Sequence, residues 1–370
     1  MLSQEDKERY SAQIRLHAFG EETQVKLKSA KVLVVGAGGL GCPVLLYLCA
    51  AGVGCIGVVD NDVVELSNLQ RQVLYEMRDC GKLKAKAATE RLLALNPSLN
   101  IIPHAIRFNA GNAWDLLSNY DLVIDASDNF ETRFLINDVS ALQKKPMVYG
   151  AVFRYEGQVC VFNLHLKDKP VFNYRHLVPK PPESGDTLNC NSEGVLGVLP
   201  GLIGNLQAAE AIKIICGLGL PLHGQLVNYN VLTNRFYEVA LNSSGNISGP
   251  RNKTELESYD YTLSCNNQNN LEISVQEFER LRMMKNVLVL DIREENEQPE
   301  TEELETIRVP LSRFGDFIKA AEVPENLILL CQSGSRSLKL AGELHKQGDK
   351  RNIYSLKGGL LEWKRQKQIQ

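Results

Sequence analysis

The sequence lacks an excess of either charge. Its 41 lysine and arginine residues nearly balance 44 acidic residues, which leaves a net charge of −3 over 370 residues. Proteins that bind nucleic acid or a membrane surface usually carry a strong basic patch, so neither partner is expected. The chain also has no uninterrupted apolar run of the ~18 residues needed to cross a membrane, and its polar first residues are unlike a secretory signal.

The sequence has no disulfide framework either. It contains nine cysteines, an odd number, and their spacing follows no pattern of a small secreted domain. Most of them are therefore expected to be reduced, in a cytoplasmic setting. The composition, 44% hydrophobic and 23% charged, is that of an ordinary globular protein. The length leaves room for roughly two to three domains.

The most informative motif begins at residue 32. The apolar stretch 32–35 is typical of a buried parallel strand, and Gly36, Gly38 and Gly41 form a G-x-G-x-x-G pattern directly after it. Glycine at these positions permits a tight turn and close approach of the backbone to a phosphate. The next helix, from about Leu40, directs its amide groups at that anion. Alone, this motif is equally compatible with a nicotinamide-dependent dehydrogenase.

The residues that follow separate the two possibilities. A second apolar strand ends at Asp60, which is placed to bind a ribose, and Arg71, Lys84 and Asp128 come later in the sequence. A nicotinamide site has little use for an arginine, a lysine and an aspartate that converge on the phosphates, whereas nucleotidyl transfer needs all three. Taken singly, the two cations can be solvated surface charges and the two aspartates strand-end caps.

The alternation of apolar strands with helical segments predicts an α/β fold class. Strands are predicted at 32–35, 55–60, 100–104, 122–125 and 147–149, helices at 82–95 and 204–216, and later antiparallel strands at 158–164 and 225–241. The result is a doubly wound, Rossmann-like domain over residues 1–242. Asn, Ser, Gly and charged residues then dominate a predicted flexible linker, 243–270, before a smaller α/β domain at 271–370.

Ordered motifs in the first domain resemble the MoeB/ThiF family, adenylyltransferases that activate ubiquitin-like sulfur carriers and are related to ubiquitin-activating E1 enzymes. The matching segments are the glycine motif 36–41, Asp60-Asn61-Asp62, Leu66-Ser67-Asn68-Leu69-Gln70-Arg71-Gln72, Gly81-Lys82-Leu83-Lys84-Ala85, Asp128-Asn129 with Thr132-Arg133, 194–197 and 207–213. The resemblance implies an E1-like fold that uses ATP and Mg²⁺. It also implies a homodimer that acts on a carrier protein ending in Gly-Gly.

The resemblance assigns roles to individual residues of the ATP site. Asp60 is expected to hold the ribose, and Asn68, Arg71 and Lys84 to address the phosphates. Asp128 is expected to organise Mg²⁺. The remaining nucleotide-binding positions are Gly36, Gly38, Gly39, Gly41, Ser67, Leu69, Gln70 and Asn129. Formation of an acyl-adenylate asks such a site mainly to position the reactants and to neutralise charge.

Two positions depart from the family pattern. The family usually carries an arginine that reaches the partner subunit's ATP, but Ala12 stands at that place, and Arg15 or Lys26 can substitute for it. The family also usually holds a structural zinc between two Cys-x-x-Cys pairs. Here residues 173–176 replace the first pair, and at most Cys265 remains of the second. One histidine and one cysteine cannot complete a tetrahedral zinc site, so no structural zinc is expected.

Two cysteines are candidates for covalent sulfur chemistry. The resemblance places Cys190 near the adenylation site, where a thioester or mixed disulfide with the carrier can form; the alternative is a buried small residue at a loop-to-helix junction. The second domain resembles a rhodanese (sulfurtransferase) through its segments 288–294, 331–337 and 356–363. Its Cys331 follows a buried strand, and the loop's amides and Arg336 are expected to favour the thiolate and a persulfide. A rhodanese-like domain that only docks partners is the alternative, although such domains typically lack the cysteine.

These motifs favour an enzyme that adenylates the C-terminal glycine of a ubiquitin-like sulfur carrier and uses its rhodanese domain to form a thiocarboxylate. The expected sulfur donor is a cysteine desulfurase persulfide or thiosulfate, and molybdopterin biosynthesis is the favoured pathway. Thiamin biosynthesis and tRNA thiolation require the same chemistry and stay open. A regulatory scaffold that binds carrier or nucleotide without turnover is a third interpretation. Ala12 and the missing zinc ligands favour it slightly, and the intact Arg71, Lys84, Asp128 and Cys331 oppose it strongly.

Overall fold

The computed structural model describes residues 1–179, 194–243, 248–261 and 271–367, apart from short gaps at 285, 296, 298–303, 305, 321–323, 325, 348 and 350. These residues form two units. The first ends at Tyr261, and the described part of the second begins at Leu271. Each unit has two hydrophobic clusters of its own, which is the arrangement expected when helices cover both faces of a sheet.

The first unit contains an eight-stranded sheet in the order β3-β2-β1-β4-β5-β6-β7-β8. The strands are β1 Lys31–Val35, β2 Cys55–Val59, β3 Asn100–His104, β4 Leu122–Asp125, β5 Met147–Phe153, β6 Glu156–Phe162, β7 Gln225–Asn230 and β8 Arg235–Ala240. β1 to β5 are parallel, and the later strands are antiparallel. The strand order reverses at β1, which pairs with β2 on one side and β4 on the other. Open α/β sheets bind their ligands at such a reversal.

Helices cover both faces of this sheet. They are α1 Gln4–Arg9, α2 Ser11–Ile14, α3 Gly20–Ser29, α4 Gly41–Ala51, α5 Lys84–Leu95, α6 Ala110–Ser118, α7 Phe130–Leu142, α8 Tyr174–Leu177, α9 Val198–Cys216 and α10 Lys253–Ser258. Side chains of β1 alternate between the two hydrophobic clusters: Val32 and Val34 pack in one, Leu33 and Val35 in the other. A strand buried on both faces reads as a continuous apolar run, which is why β1 shows no polar alternation in the sequence.

Among the described residues, one helix has the length and composition of a membrane span. α9 has 19 residues and a mean hydropathy of 1.2. It packs against α4 and β5, and a Cβ at its Gly204 would lie only 2.5 Å from the carbonyl oxygen of Leu40. Its buried Gln207 donates to the carbonyl oxygen of Asp125 at 2.7 Å. These contacts make α9 a core helix of the first unit.

Part of the segment predicted as a linker belongs to the first unit. Residues 248–261 include α10, which packs against α6 and α7 through the fully buried Leu256. Beyond it, the Tyr261 hydroxyl donates to Asp138 Oδ2 on α7 at 2.9 Å. The domain boundaries at 242 and 271 stay a prediction, but the described residues 248–261 of the predicted linker include a helix that packs on the first unit.

The second unit contains a five-stranded parallel sheet in the order β11-β10-β12-β13-β9. Its elements are β9 Glu272–Ile273, α11 Val275–Leu281, β10 Val287–Asp291, β11 Ile307–Arg308, α12 Phe314–Ala320, β12 Asn326–Leu330, α13 Ser335–Lys346, β13 Asn352–Leu356 and α14 Gly359–Lys367. The central strand β12 is apolar and buried on both faces. The predicted fold class, a doubly wound Rossmann-like domain followed by a smaller α/β domain, is confirmed.

Candidate functional site

The loop after β1 depends on two glycines that no larger residue could replace. Gly36 has a φ of +101°, and a Cβ there would lie 2.5 Å from the carbonyl oxygen of Ala126, just beyond β4. A Cβ at Gly41, the first residue of α4, would collide with the carbonyl oxygen of Gly36. Gly38 and Gly39 lack such backbone clashes and face side chains from other elements. The backbone is therefore tightly packed at Gly36 and Gly41, whereas Gly38 and Gly39 are bordered by side chains, where a phosphate can approach the loop closely.

Asp60 follows β2 and is fixed against this loop. Its Oδ2 accepts a hydrogen bond from the amide of Ala37 at 2.8 Å, and its Oδ1 accepts one from the amide of Asp62 at 2.9 Å. Burial raises the pKa of the Asp60 carboxyl, and the hydrogen bonds from these two amides offset part of that rise. The predicted ribose ligand thus lies at the carboxyl end of β2, beside the glycines.

Lys84 is a buried cation at the start of a helix. It is the first residue of α5, is only 6% exposed, and pairs with Asp62 through an Nζ–Oδ2 distance of 3.0 Å. A helix N-terminus carries partial positive charge, so a lysine there is unfavourable unless an anion lies nearby. Its position favours a phosphate-binding role over that of a solvated surface charge.

The segment 66–72 lies against the glycine loop. Arg71 donates to the carbonyl oxygen of Ser67 at 3.1 Å, and its Cγ lies 3.5 Å from the position of a Cβ on Gly39. Asn68 is buried, and its Oδ1 accepts from the amide of Glu65 at 3.2 Å. The other three predicted ligands differ in setting: Ser67 is exposed, Leu69 packs against the core, and Gln70 lies tightly against Gly197 at the start of α9.

Gln72 is a site residue that the sequence reasoning missed. It is 3% exposed, and its Oε1 has no hydrogen-bond partner within the part of the chain that the structure describes. Its Nε2 lies 3.7 Å from the position of a Cβ on Gly38. A buried amide without a partner beside a glycine loop suits a bound polar ligand, because a buried acceptor is costly unless it is hydrogen-bonded. Its place in the motif 66–72 was the available signal.

Asp128 is exposed on the loop that follows β4. The loop is shaped by a buried ion pair, in which Arg133 Nε lies 3.1 Å from Asp125 Oδ2 and Arg133 Nη2 donates to the carbonyl oxygen of Ser127 at 3.2 Å. Asn129 donates to Asp128 Oδ1 at 3.3 Å and accepts from the amide at 132, so it caps α7. Arg133 was part of the motif but received no role from the sequence, although it sets the course of this loop.

The donor set fits ATP with Mg²⁺. No three His, Cys, Asp or Glu side chains cluster as metal ligands among the described residues. Mg²⁺ bound to a nucleotide needs only one or two protein carboxylates, because phosphates and water supply its other ligands. The exposed carboxylate of Asp128 meets that requirement, and Lys84 and Arg71 supply the positive charge that phosphates need.

The two candidates for a cross-subunit cation lie near the start of the chain, Arg15 directly after α2 and Lys26 on α3. Ala12 and Arg15 are exposed. Lys26 donates to the carbonyl oxygen of Cys216 at 3.5 Å, at the carboxyl end of α9. Pro200, near the opposite end of α9, lies against Gly39. Within one subunit Lys26 is therefore bound far from the glycine loop.

At the position of the family's first zinc-ligand pair, the structure has a ring of three buried amides. Asn137 donates to Asn173, Asn173 to Asn163, and Asn163 to Asn137, at 3.0, 3.1 and 3.2 Å. His176 Nδ1 accepts from the amide of Asn173 at 3.0 Å, and burial lowers the pKa of this histidine. Direct hydrogen bonds thus connect α7, the end of β6 and the N-cap of α8. Cys265 and the candidate nucleophile Cys190 lie outside the described residues.

In the second unit, Cys331 directly follows β12 and is completely buried. Its Sγ lies 3.4 Å from the amide nitrogen and 3.3 Å from the hydroxyl of Ser337, both of which donate to it. Gly334, with a φ of +85°, directly precedes α13 as its N-cap, and a Cβ on Gly359 would collide with the carbonyl oxygen of Cys331. The loop backbone and Ser337 thus enclose the sulfur closely.

Arg336 is bound by a carboxylate. Its Nη1 and Nη2 donate to Glu297 Oε1 and Oε2 at 2.7 and 2.5 Å. Arg336 also lies close enough to Cys331 to interact electrostatically with the thiolate, and both partners raise its pKa, Glu297 more strongly. The sequence reasoning missed Glu297, for which the segment after Asp291 offered no distinctive signal.

Comparisons with known proteins agree with this geometry. The sequence matches the ThiF family over residues 10–248 and the Rhodanese-like domain over residues 274–366. It is 47% identical over 268 residues to a sulfur carrier protein adenylyltransferase of Thermus thermophilus, which covers 71% of this chain and 98% of the relative. It is 36% identical to the probable adenylyltransferase/sulfurtransferase MoeZ of Mycobacterium tuberculosis, which covers 99% of this chain and 95% of the relative.

Two further comparisons come from an animal relative and a solved structure. The adenylyltransferase and sulfurtransferase MOCS3 of Drosophila virilis is 36% identical and covers 99% of this chain and 85% of the relative. The crystal structure of PaaA has a TM-score of 0.54 and 25% identity, and covers 65% of this chain and 75% of that one. The resemblance stated from the motifs is confirmed: the chain belongs to the ThiF family, carries a rhodanese-like domain, and is an enzyme of the adenylyltransferase and sulfurtransferase class.

Proposed function

We propose that the first unit adenylates the C-terminal glycine of a ubiquitin-like sulfur-carrier protein that ends in Gly-Gly. One observation carries the proposal: at the reversal of the strand order, Asp60 and Arg71 lie against the glycine loop, and Lys84 is close enough to Asp60 to interact with its charge. The name of the Thermus relative, a sulfur carrier protein adenylyltransferase, supports the same substrate class.

In this proposal the carboxylate of the carrier attacks the α-phosphorus of ATP, and pyrophosphate leaves. Asp60 binds the ribose, while Asn68, Arg71 and Lys84 bind the phosphates. Gly36, Gly38, Gly39, Gly41, Ser67, Leu69, Gln70 and Asn129 line the nucleotide. Mg²⁺, held through Asp128, would neutralise part of the phosphate charge. The side chains mainly hold the reactants in line and balance charge that moves toward pyrophosphate.

In this proposal, Lys84 provides a positive charge for the phosphates that is in place before ATP binds. Its ammonium group is already removed from solvent and held by the exposed Asp62, whose side chain is 64% exposed. A phosphate can take the place of Asp62 without moving the lysine into a new environment. Because the amine is desolvated before ATP arrives, little reorganisation is left for the reaction itself.

For the second unit, we propose that Cys331 accepts a sulfane sulfur and delivers it to the adenylated carrier. The persulfide attacks the acyl carbon, AMP leaves, and an acyl disulfide forms between carrier and Cys331. A second thiol must then attack the Cys331 sulfur to release the thiocarboxylate. Cys190 is our candidate for a covalent link to the carrier. The combined names of the MoeZ and MOCS3 relatives support two activities in one chain.

We further propose that the enzyme is a cytoplasmic homodimer whose carrier serves molybdopterin biosynthesis. Thiamin biosynthesis and tRNA thiolation use the same adenylation and sulfur-transfer chemistry. The identity of the carrier that this enzyme adenylates would decide among the three pathways.

Exchange of radiolabelled pyrophosphate into ATP tests the adenylation proposal. We expect exchange only when a carrier ending in Gly-Gly is present. Asp128→Ala should lower the rate by about a hundredfold or more, because charge on the phosphates would be left uncompensated. Asp115→Ala is a matched control, since the side chain of this exposed aspartate forms a surface ion pair with Lys253. Exchange without a carrier, or a fully active Asp128→Ala enzyme, would contradict the proposal.

A further inference from the structure

The arginine of the Cys331 loop is occupied in the structure. Glu297 binds both ends of the Arg336 guanidinium, with the side chains 25% and 38% exposed respectively. Glu297 is itself held in place: its Oε1 accepts from the amide of Glu294 at 2.9 Å, and its carbonyl oxygen accepts from Arg308 at 3.0 Å. The carboxylate is therefore a fixed part of the loop's surroundings.

This pairing changes what the loop can bind. The two hydrogen bonds from Arg336 lower the pKa of Glu297 to about 2, so the carboxylate is charged at neutral pH. A planar two-point contact with a carboxylate is among the strongest that an arginine forms. Here Glu297 occupies the two N–H groups of Arg336 that could otherwise bind a small oxyanion. Thiosulfate carries two negative charges, so it must either displace Glu297 or approach a fixed charge of its own sign.

We propose that Glu297 determines the sulfur donor of the second unit: by neutralising Arg336 it discriminates against small dianionic donors such as thiosulfate and favours a persulfide. A persulfide brings no sulfonate group that needs an arginine. The amide and hydroxyl of Ser337 remain directed at the sulfur and serve either donor equally. The inference rests on the proposed sulfur transfer through Cys331 and adds to it the chemical class of the donor.

Both donors react by the same two-electron displacement, without net redox change. With a persulfide R–S–SH, the Cys331 thiolate attacks the terminal sulfur, the S–S bond breaks, and the thiolate RS⁻ leaves. With thiosulfate, the thiolate attacks the outer sulfur and sulfite leaves. Only the second reaction brings a dianion to the loop and releases another, so only the second should respond strongly to the charge on Glu297.

The test compares sulfur loading of Cys331 in three full-length proteins: wild type, Glu297→Gln and Glu295→Gln. Glu295 is a matched control because it carries the same charge two residues away but pairs with Arg313 rather than Arg336. Each protein is loaded from thiosulfate or from an uncharged alkyl persulfide, and mass spectrometry of the peptide containing Cys331 gives the rate constant. We expect Glu297→Gln to accelerate loading from thiosulfate by at least about tenfold, mainly through a lower KM, and to change loading from the persulfide little.

Other results would contradict either the role of Glu297 or the proposed function of the second unit. If Glu297→Gln changes both donors by the same factor, or if Glu295→Gln gives the same gain, Glu297 does not select the donor and the inference is overturned. Glu297→Asp keeps the charge and should keep the wild-type preference; a gain with thiosulfate in this variant would overturn it too, even if Glu297→Gln proved unstable. A wild-type enzyme that loads Cys331 from neither donor would instead contradict the proposed function of the second unit.

Discussion

Replacing Arg175 by methionine should destabilise the first unit strongly. Arg175 on α8 donates to both carboxylate oxygens of Asp138 on α7, with Nε–Oδ1 and Nη2–Oδ2 distances of 2.8 and 2.6 Å. The side chains are 1% and 4% exposed. Methionine preserves much of the volume but removes the cation, so Asp138 is left buried and charged. Among the described residues, its remaining side-chain donors are the neutral Tyr261 hydroxyl and the Asn137 amide.

The expected loss of stability is about 3–5 kcal/mol, the usual consequence of removing one partner of a buried ion pair. The guanidinium also lies 4.7 Å from the ring centre of Phe134, and this favourable contact would be lost as well. The hydroxyl of Tyr261 works in the opposite direction, because it still stabilises the carboxylate. Adding Asp138→Asn to Arg175→Met should recover part of the loss, since an unpaired amide is less costly than an unpaired charge.

Urea unfolding followed by the fluorescence of Trp114 would measure this loss. The chain contains two tryptophans, so all proteins would carry Trp363→Phe to leave Trp114, in the first unit, as the reporter. Arg107→Met is the matched control, because Arg107 makes a similar pair with Glu131 at 2.9 Å but is 66% exposed. A surface pair is worth about 0–1 kcal/mol. The reasoning would be refuted if Arg175→Met were no more destabilising than Arg107→Met.

Three further predictions follow from the site and from the departures from the family pattern. The purified protein should contain no stoichiometric zinc, because direct hydrogen bonds of Asn173 hold the segment; elemental analysis that finds about one zinc per chain after dialysis would contradict this. Cys331→Ser should abolish sulfur transfer to cyanide and leave pyrophosphate exchange intact, and a loss of both activities, or a loss of sulfur transfer in Cys190→Ser, would refute the division between units. Light scattering at micromolar concentration should show a dimer; Ala12→Lys should change ATP affinity little, and a large gain in Ala12→Arg would show that the missing arginine matters.

The sequence predicted the structure best where a residue type is required by the local backbone or by burial. Gly36 is required locally by its positive φ, and Gly41 by its contact with the carbonyl oxygen of Gly36, so their spacing predicted the loop. The buried strands were equally legible, since β1 and β12 are apolar on both faces and flanked by polar residues. The fold class and the residues around the nucleotide loop were therefore predictable.

Pairs that are distant in sequence were not predictable. The ring of Asn137, Asn163 and Asn173 joins three elements, and each asparagine alone resembles an ordinary turn residue or helix cap. Glu297 and Arg336 lie 39 residues apart, in a segment rich in glutamate where nothing in the sequence marks one carboxylate over its neighbours. Such contacts depend on the packed fold, and local propensity carries no information about them.

The hydrogen bond from Tyr261 to Asp138 has a consequence for how the chain is made. The two residues are separated by 123 positions. At a synthesis rate of about 5–20 residues per second, the ribosome needs roughly 6 to 25 seconds to add the tyrosine after the aspartate. During that interval α7 has been translated, but α10 and Tyr261, which contact it in the folded protein, have not. A fragment released at residue 242 would remain in that unfinished state, whereas one released just after residue 261 would carry every described contact of the first unit.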